Sequence, residues 1–183
     1  MKRANDLLRL ARLLMISAAL LTLCACASTS FHAAPTPSID RSATWVVAPL
    51  INNTATPYAG QRAAQLVNAL LAQRLSGQVL VAPASPDATG LPLDNGSAAE
   101  DAARAFATQH AARYLISGSV DEWTYKIGLD GQPAVGFTLT VTDLSSGKAI
   151  WNGAASASGA SREGVAVLAQ DTLDSLIQRL LGK

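Results

Sequence analysis

The 183-residue chain predicts an α/β (α+β) fold in which one mixed β-sheet is packed with helices. Three observations lead there. Short apolar runs at 45–51 and 79–81 flank a stretch of helical periodicity, the pattern of a strand–helix–strand crossover. Longer strand-like runs follow, separated by two tight turns, the pattern of antiparallel hairpins. A helix with a broad apolar face closes the chain. Crossovers early and hairpins late give the order β-α-β-α-β-β-β-α.

The elements follow from local chemistry. Trp45-Val46-Val47-Ala48-Pro49-Leu50-Ile51 reads as a buried strand whose pairing Pro49 limits. From Ala59 to Leu75, Ala63, Leu66, Val67, Leu70 and Leu71 recur at helical spacing, and Gly77 stops the helix. Val79-Leu80-Val81 is a second strand, and Pro83 to Gly96 is turn-rich. Ser97-Ala98-Ala99-Glu100 fits a capping box for a helix with Ala103, Phe106 and His110 down one side. A third strand runs from Arg113 through Lys126. Asp130-Gly131 marks a hairpin turn. Beyond it Val135, Phe137, Leu139 and Val141 alternate with Thr138, Thr140 and Thr142. Ser145-Ser146-Gly147-Lys148 turns the chain into a fifth strand, which fades into small residues after Trp151. Ser161 reads as an N-cap for a helix from about Arg162 to Leu181.

The N-terminus is an export address. Lys2, Arg3, Arg9 and Arg12 precede an apolar run, Leu13 to Leu23. Its length falls within the ~7–15 residues of a signal peptide and short of the ~20 that span a bilayer. Leu23-Cys24-Ala25-Cys26 follows. Cys26 has the apolar and small neighbours of a lipobox, whereas Cys24 follows the bulky Leu23. Cys26 is the expected acylation site; the alternatives are Cys24, or an ordinary secretory signal cut after Ala25 or Ala27. Ala27 in place of aspartate implies an outer-membrane destination in a Gram-negative cell. Two acyl chains already anchor stably. Residues 1–25 are thus the expected signal peptide, 26–43 the acylated cysteine and a Ser/Thr/Pro/Ala-rich flexible tether, and 44–183 a single periplasmic domain. The tether would reach roughly 55 Å when extended.

Four of the 14 Lys+Arg and one of the 13 Asp+Glu leave with the signal, so the mature chain carries a formal charge of −2. That argues against nucleic acid as a partner and permits a cationic one. Neither cysteine remains for a disulfide or a reactive thiol. His32 lies in the tether, and His110 stands alone on a helix. No spacing suggests a metal site, a cofactor or a catalytic group. One constellation stands out: Asp121, Glu122 and Asp130 surround Trp123 and Tyr125 on one hairpin. Acids beside rings suit a sugar-handling surface; an ordinary solvated hairpin with Trp123 partly in the core fits the same residues. Alternation along a strand puts Asp121 and Glu122 on opposite faces, which leaves Asp121 with Asp130 as the pair a glycosidase would need. Trp151, near a strand end, suits either a membrane interface or the core.

The stretch Gly118-Ser119-Val120-Asp121-Glu122-Trp123-Thr124-Tyr125-Lys126, continuing through Leu129-Asp130-Gly131-Gln132-Pro133, resembles the PelC family of outer-membrane lipoproteins of the Pel exopolysaccharide export system. So do Ala48-Pro49-Leu50-Ile51-Asn52-Asn53-Thr54, Thr56-Pro57-Tyr58-Ala59-Gly60 and Asp143-Leu144-Ser145-Ser146-Gly147-Lys148-Ala149-Ile150-Trp151. The Ala-Pro-Leu start is shared with TolB-N-terminal-like domains, LpoB relatives among them. The resemblance implies a non-enzymatic subunit of a twelve-membered ring beside the PelB outer-membrane barrel. The ring's acidic funnel would guide a cationic exopolysaccharide, and an aromatic belt would meet outer-membrane lipid. It assigns the funnel to Asp121, with Glu122 and Asp130, and the belt to Trp151, with Trp123. An LpoB-like regulatory lipoprotein that binds a peptidoglycan synthase is the alternative.

Overall fold

In the computed structural model, which describes residues 28–84, 96–126 and 131–182, seven strands form one mixed sheet with three helices packed on it. In chain order the elements are β1 (Ser28–Ala33), β2 (Trp45–Val47), β3 (Ile51–Asn52), α1 (Ala59–Ala72), β4 (Val79–Val81), α2 (Gly96–Gln109), β5 (Tyr114–Tyr125), β6 (Pro133–Asp143), β7 (Lys148–Ser158) and α3 (Val165–Leu181). The sheet order is β1-β7-β6-β5-β2-β4, with β3 beside β5. β2 is parallel to β4 and β5, as the crossovers require, and β5, β6 and β7 form an antiparallel meander. The expected class and mixed topology are present, with two additional strands, β1 and β3.

β3 arises at Pro49. The Ala48 amide still donates to Ile116 O at 2.8 Å, but Pro49 has no N–H to continue the ladder. The chain steps out and resumes pairing two residues later, at Ile51↔Ser119.

α1 and α3 cover one face of the sheet. Their apolar stripes meet Trp45, Ile116, Val120, Phe137 and Leu139, all buried. Trp45 and Tyr114 pack with ring centroids 4.4 Å apart. Arg74, two residues past the end of α1, and Asp174 of α3 form an ion pair. α2 lies on the other face and reaches only its β2–β5 side, where Ala103 and Ala107 meet Val46, Ala48 and Leu115. β2 is therefore buried on both sides, while among the described residues no helix lies over much of β5, β6, β7 and β1 on this second face. α2 begins at Gly96 with Ser97 already inside the helix, and Glu100 pairs with Arg104. α3 is preceded by Gly164, not capped at Ser161.

The segment read as a tether is a strap. β1 pairs antiparallel with β7 from Ser28↔Ser158 to Ala33↔Gly153. Beyond it the Thr36 hydroxyl donates to Arg179 O at 2.9 Å, and the Asp40 amide donates to the Tyr114 hydroxyl at 3.0 Å. Arg41 reaches Leu181 O. Arg179 lies over the Phe31 ring, 4.5 Å from its centroid. The strap is held mainly by backbone groups, which explains its tether-like composition. It also covers what would otherwise be the open edge of β7.

β7 runs its full eleven residues, and its small side chains have a packing role. Trp151 is 1% exposed, and its indole Nε1 donates to Ala34 O at 3.1 Å. A Cβ at Gly153 would lie 2.3 Å from that ring, so only glycine leaves room for it. Replacing Trp151 with alanine should cost about 3–5 kcal/mol, read as a lower urea midpoint. An unchanged midpoint would mean that the ring carries none of the core.

The strap carries an acid-sensitive contact. Asp40 accepts from the Ser42 hydroxyl and amide, and Asp143 accepts likewise from Ser145. Those bonds hold both carboxyls below their ordinary value of 3.8, with Arg113, 3.8 Å and 3.7 Å away, adding to the effect. Folded pKa values below the unfolded ones give stability that is present above pH 3.8 and lost as pH falls through the folded values. Asp40→Asn should flatten the acid limb of a urea-stability profile by lowering the neutral plateau slightly, while leaving stability below the folded pKa unchanged.

Candidate functional site: an acidic groove on the open face of the sheet

The site originates in a packing conflict. Val120 and Trp123 are three residues apart on β5, and simple alternation would send them to opposite faces. Both are buried, at 0% and 4% exposure. A β-bulge reconciles them: Val120 pairs with Phe137 and Glu122 with Gly136, leaving Asp121 without a partner residue. The extra residue lets both apolar side chains reach the core. It also turns Asp121 and Glu122 to the same side. Gly136 confirms it, since a Cβ there would lie 3.4 Å from Glu122 Cβ and 3.8 Å from Asp121 Cβ. The expectation that the two acids face opposite ways is corrected by this bulge.

The shared side is the face that, among the described residues, has no helix over these strands. Asp121 and Glu122 form one wall of a shallow groove of about 460 Å³. Its floor is made of small residues, Gly136, Ala154 and Ser156, and Ser30 and His32 of β1 stand on the far side. His32, assigned above to the tether, is thus brought opposite the acids. The neighbouring rows of the face continue with Ser117, Thr140 and Asn152.

Asp121 is exposed yet fixed. Its Oδ1 accepts from Asn53 Nδ2 at 2.9 Å and Ser119 Oγ at 2.8 Å, and its Oδ2 accepts from Thr138 Oγ1 at 3.0 Å. Three neutral donors orient the carboxylate without cancelling its charge. That suits reversible attraction of a cation better than proton transfer. Among the described residues, no group of three or more His, Cys, Asp and Glu could hold a metal ion.

The other expected site residues fare differently. Trp123 meets Phe137 edge-on, with centroids 6.0 Å apart, and its carbonyl accepts from Thr56 Oγ1. Trp151 is the buried ring described above. Neither indole is available to face a membrane, so the belt assignment to Trp151 and Trp123 is corrected: both are core. Cys26 and Asp130 lie outside the described residues. His110 is exposed and stacks on Phe106 at 4.1 Å. The groove's β1 wall was not foreseen, because nothing in Ser-Thr-Ser-Phe-His-Ala signals a strand. The bulge did leave a trace in the sequence: two large apolar residues three apart in a strand whose partner alternates strictly.

A mixed sheet with two helices on one face and a hydroxyl-rich open face on the other belongs to the class of LpoB/TolB-N-terminal-like domains. More narrowly, the chain belongs to the family of the peptidoglycan-synthase activator LpoB, whose model matches residues 38–156. Among solved structures it is similar to a PelC dodecamer from Paraburkholderia phytofirmans, with 28% identity and a TM-score of 0.71, over 84% of this chain and 98% of that one. A single-residue variant of that dodecamer matches with the same identity and TM-score, over 85% and 100%. A lipoprotein from Neisseria meningitidis shares the fold alone, at 15% identity and a TM-score of 0.50 over 77% and 99%. No curated protein matches the chain. The chain is PelC-like in structure within the LpoB fold family. Among the described residues no helix is long and apolar enough to cross a membrane.

Gly136→Val meets only ordinary contacts at its Cβ, so it should stay within about 1 kcal/mol of wild type while filling the groove floor. Asp121→Asn should stay within about 0.5 kcal/mol of wild type, as an exposed substitution that keeps the shape of the side chain. Urea titration of both variants checks the pair of outcomes.

Proposed function

We propose that this chain is a non-enzymatic lipoprotein, anchored through Cys26 at the periplasmic face of the outer membrane. It assembles as a ring that guides a cationic exopolysaccharide toward an outer-membrane channel of the PelB kind. The observation that carries the reading is the bulge, which sets Asp121 and Glu122 side by side on an open face, in a chain similar to a dodecameric PelC.

The chemistry supports it. An extended polymer of hexosamine units needs an open, shallow track. The groove's small floor leaves room for a sugar ring, and the surrounding hydroxyls can exchange hydrogen bonds with it. The acids supply attraction to ammonium groups. Twelve copies of a −2 chain would carry about −24, and a narrow ring opening concentrates that field. Screening within about 8 Å at physiological salt keeps each contact weak, as a moving polymer requires. Asp130, also in this hairpin, belongs to the same proposed funnel.

The family match favours a second reading, a regulatory lipoprotein that binds a peptidoglycan synthase. It requires a docking surface for one enzyme and no ring. Light scattering on the purified chain separates the two, since a concentration-independent monomer counts against the ring. Asp121→Asn should lower secreted polymer severalfold while the ring still assembles. Normal export by that variant would remove the guiding role.

A further inference from the structure

The acidic groove is a short lane that crosses the strands, and its two ends differ in kind. One cross-strand row runs its length: Thr138 pairs with Ala154, and Ala154 with His32. Asp121, bonded to Thr138 Oγ1 at 3.0 Å, stands at the β5 end with Glu122 beside it. His32 stands at the β1 end, on the outermost strand of the sheet. Strands lie about 4.8 Å apart, so three steps put His32 roughly 14 Å from the acids.

The strand pairing fixes which way His32 faces. Its neighbour Phe31 turns to the helix side, where Arg179 of α3 lies over the ring. Alternation then sets His32 on the groove side, where it is exposed. Among the described residues no ion pair engages its imidazole. The strands between it and the acids present only neutral groups, Thr138, Ala154 and Ser156. One cation stands at the rim: Lys126 Nζ donates to Ser158 Oγ at 2.7 Å, on the same face. Arg179 belongs to the opposite face. Two carboxylates and one ammonium thus leave the lane and its rim at −1 while His32 is neutral, and at zero once it is protonated.

Distance decides what that charge can act on. The screening length is about 8 Å at physiological salt. His32 and the acids lie nearly two such lengths apart and hardly feel one another. An occupant midway sits roughly 7 Å from both ends and feels each. One unit charge at about 7 Å in water changes an affinity roughly two- to threefold before screening. His32 therefore acts through whatever cation fills the lane, not through the acids themselves.

We infer that His32 is the charge gate of this groove: a neutral imidazole lets Asp121 and Glu122 hold the ammonium groups of a cationic sugar polymer, and an imidazolium releases them. The inference rests on the guiding role proposed above and names its regulation. Histidine of ordinary strength changes charge near pH 6.5. That lies well above the acid range in which Asp40 and Asp143 lose their bonds, so the gate works while the strap stays seated.

The test must keep the ligand's charge constant, since sugar amines also titrate in this range. The probe is a fully N-trimethylated glucosamine oligomer, whose charge does not depend on pH. Its binding to the full chain is measured by calorimetry at low salt, at pH 8 and pH 5.5. Wild type should bind about two- to threefold more weakly at pH 5.5. In His32→Gln the ratio between the two pH values should fall to about one. In His32→Lys it should also be about one, with weaker binding than His32→Gln at both. By reciprocity, saturating oligomer should lower the midpoint of the His32 ring titration followed by NMR. A pH response that survives His32→Gln, or a ring midpoint that the oligomer leaves unmoved, overturns the gate alone. An oligomer that fails to bind at pH 8 overturns the guiding reading, and the gate with it.

Discussion

Val120 and Trp123 must both reach the core from one strand, and the open face takes its chemistry from that demand. Burying a Val-sized side chain contributes about 1.5–3 kcal/mol, and an indole buries more area. Leaving one residue out of the ladder forfeits about one backbone hydrogen bond, worth roughly 1 kcal/mol net. Packing therefore wins, and β5 bulges at Asp121. Once it does, a polar residue belongs at the unpaired position, and its neighbour Glu122 follows it to the solvent side. The acids lie together because of what lies behind them.

The second organising contact is the strap. β1 turns β7 from an edge into an interior strand, and the same segment supplies the carbonyl that satisfies the Trp151 indole. Trp151 stands where the PelC resemblance placed a membrane-facing aromatic, yet it fills the space that Gly153 vacates. Pairing β1 also completes the groove, since Ser30 and His32 form its far side. Strap, core and site are thus coupled through one strand pairing.

Most of the fold was legible because its signals are local. The Thr/apolar alternation of β6, the helical stripes of α1 and α3 and the Asp-Gly turn each depend on side chains within a few residues of one another. β1 was not legible, because its pairing uses backbone groups that Ser, Thr and Ala expose as readily in a coil. β3 was merged with β2 because the break at Pro49 depends on where β5 continues. In the site, Asp121 was singled out from the sequence, but its relation to Glu122 was not, since period-two reasoning has no place for a bulge. The burial of Trp123 and Trp151 depended on partners distant in sequence, Phe137 for one and Ala34 for the other.

The proposed role requires the open face to attract a cationic sugar polymer through Asp121 and Glu122. Amide chemical-shift mapping with a short glucosamine oligomer tests it most directly. The predicted result is a set of shifts confined to Asp121, Glu122, Thr138, Ser156 and His32, fading as salt rises through the range that screens such contacts. Shifts centred elsewhere, for instance on the groove lined by Pro49, Gln65 and Val81, or shifts indifferent to salt, would contradict it.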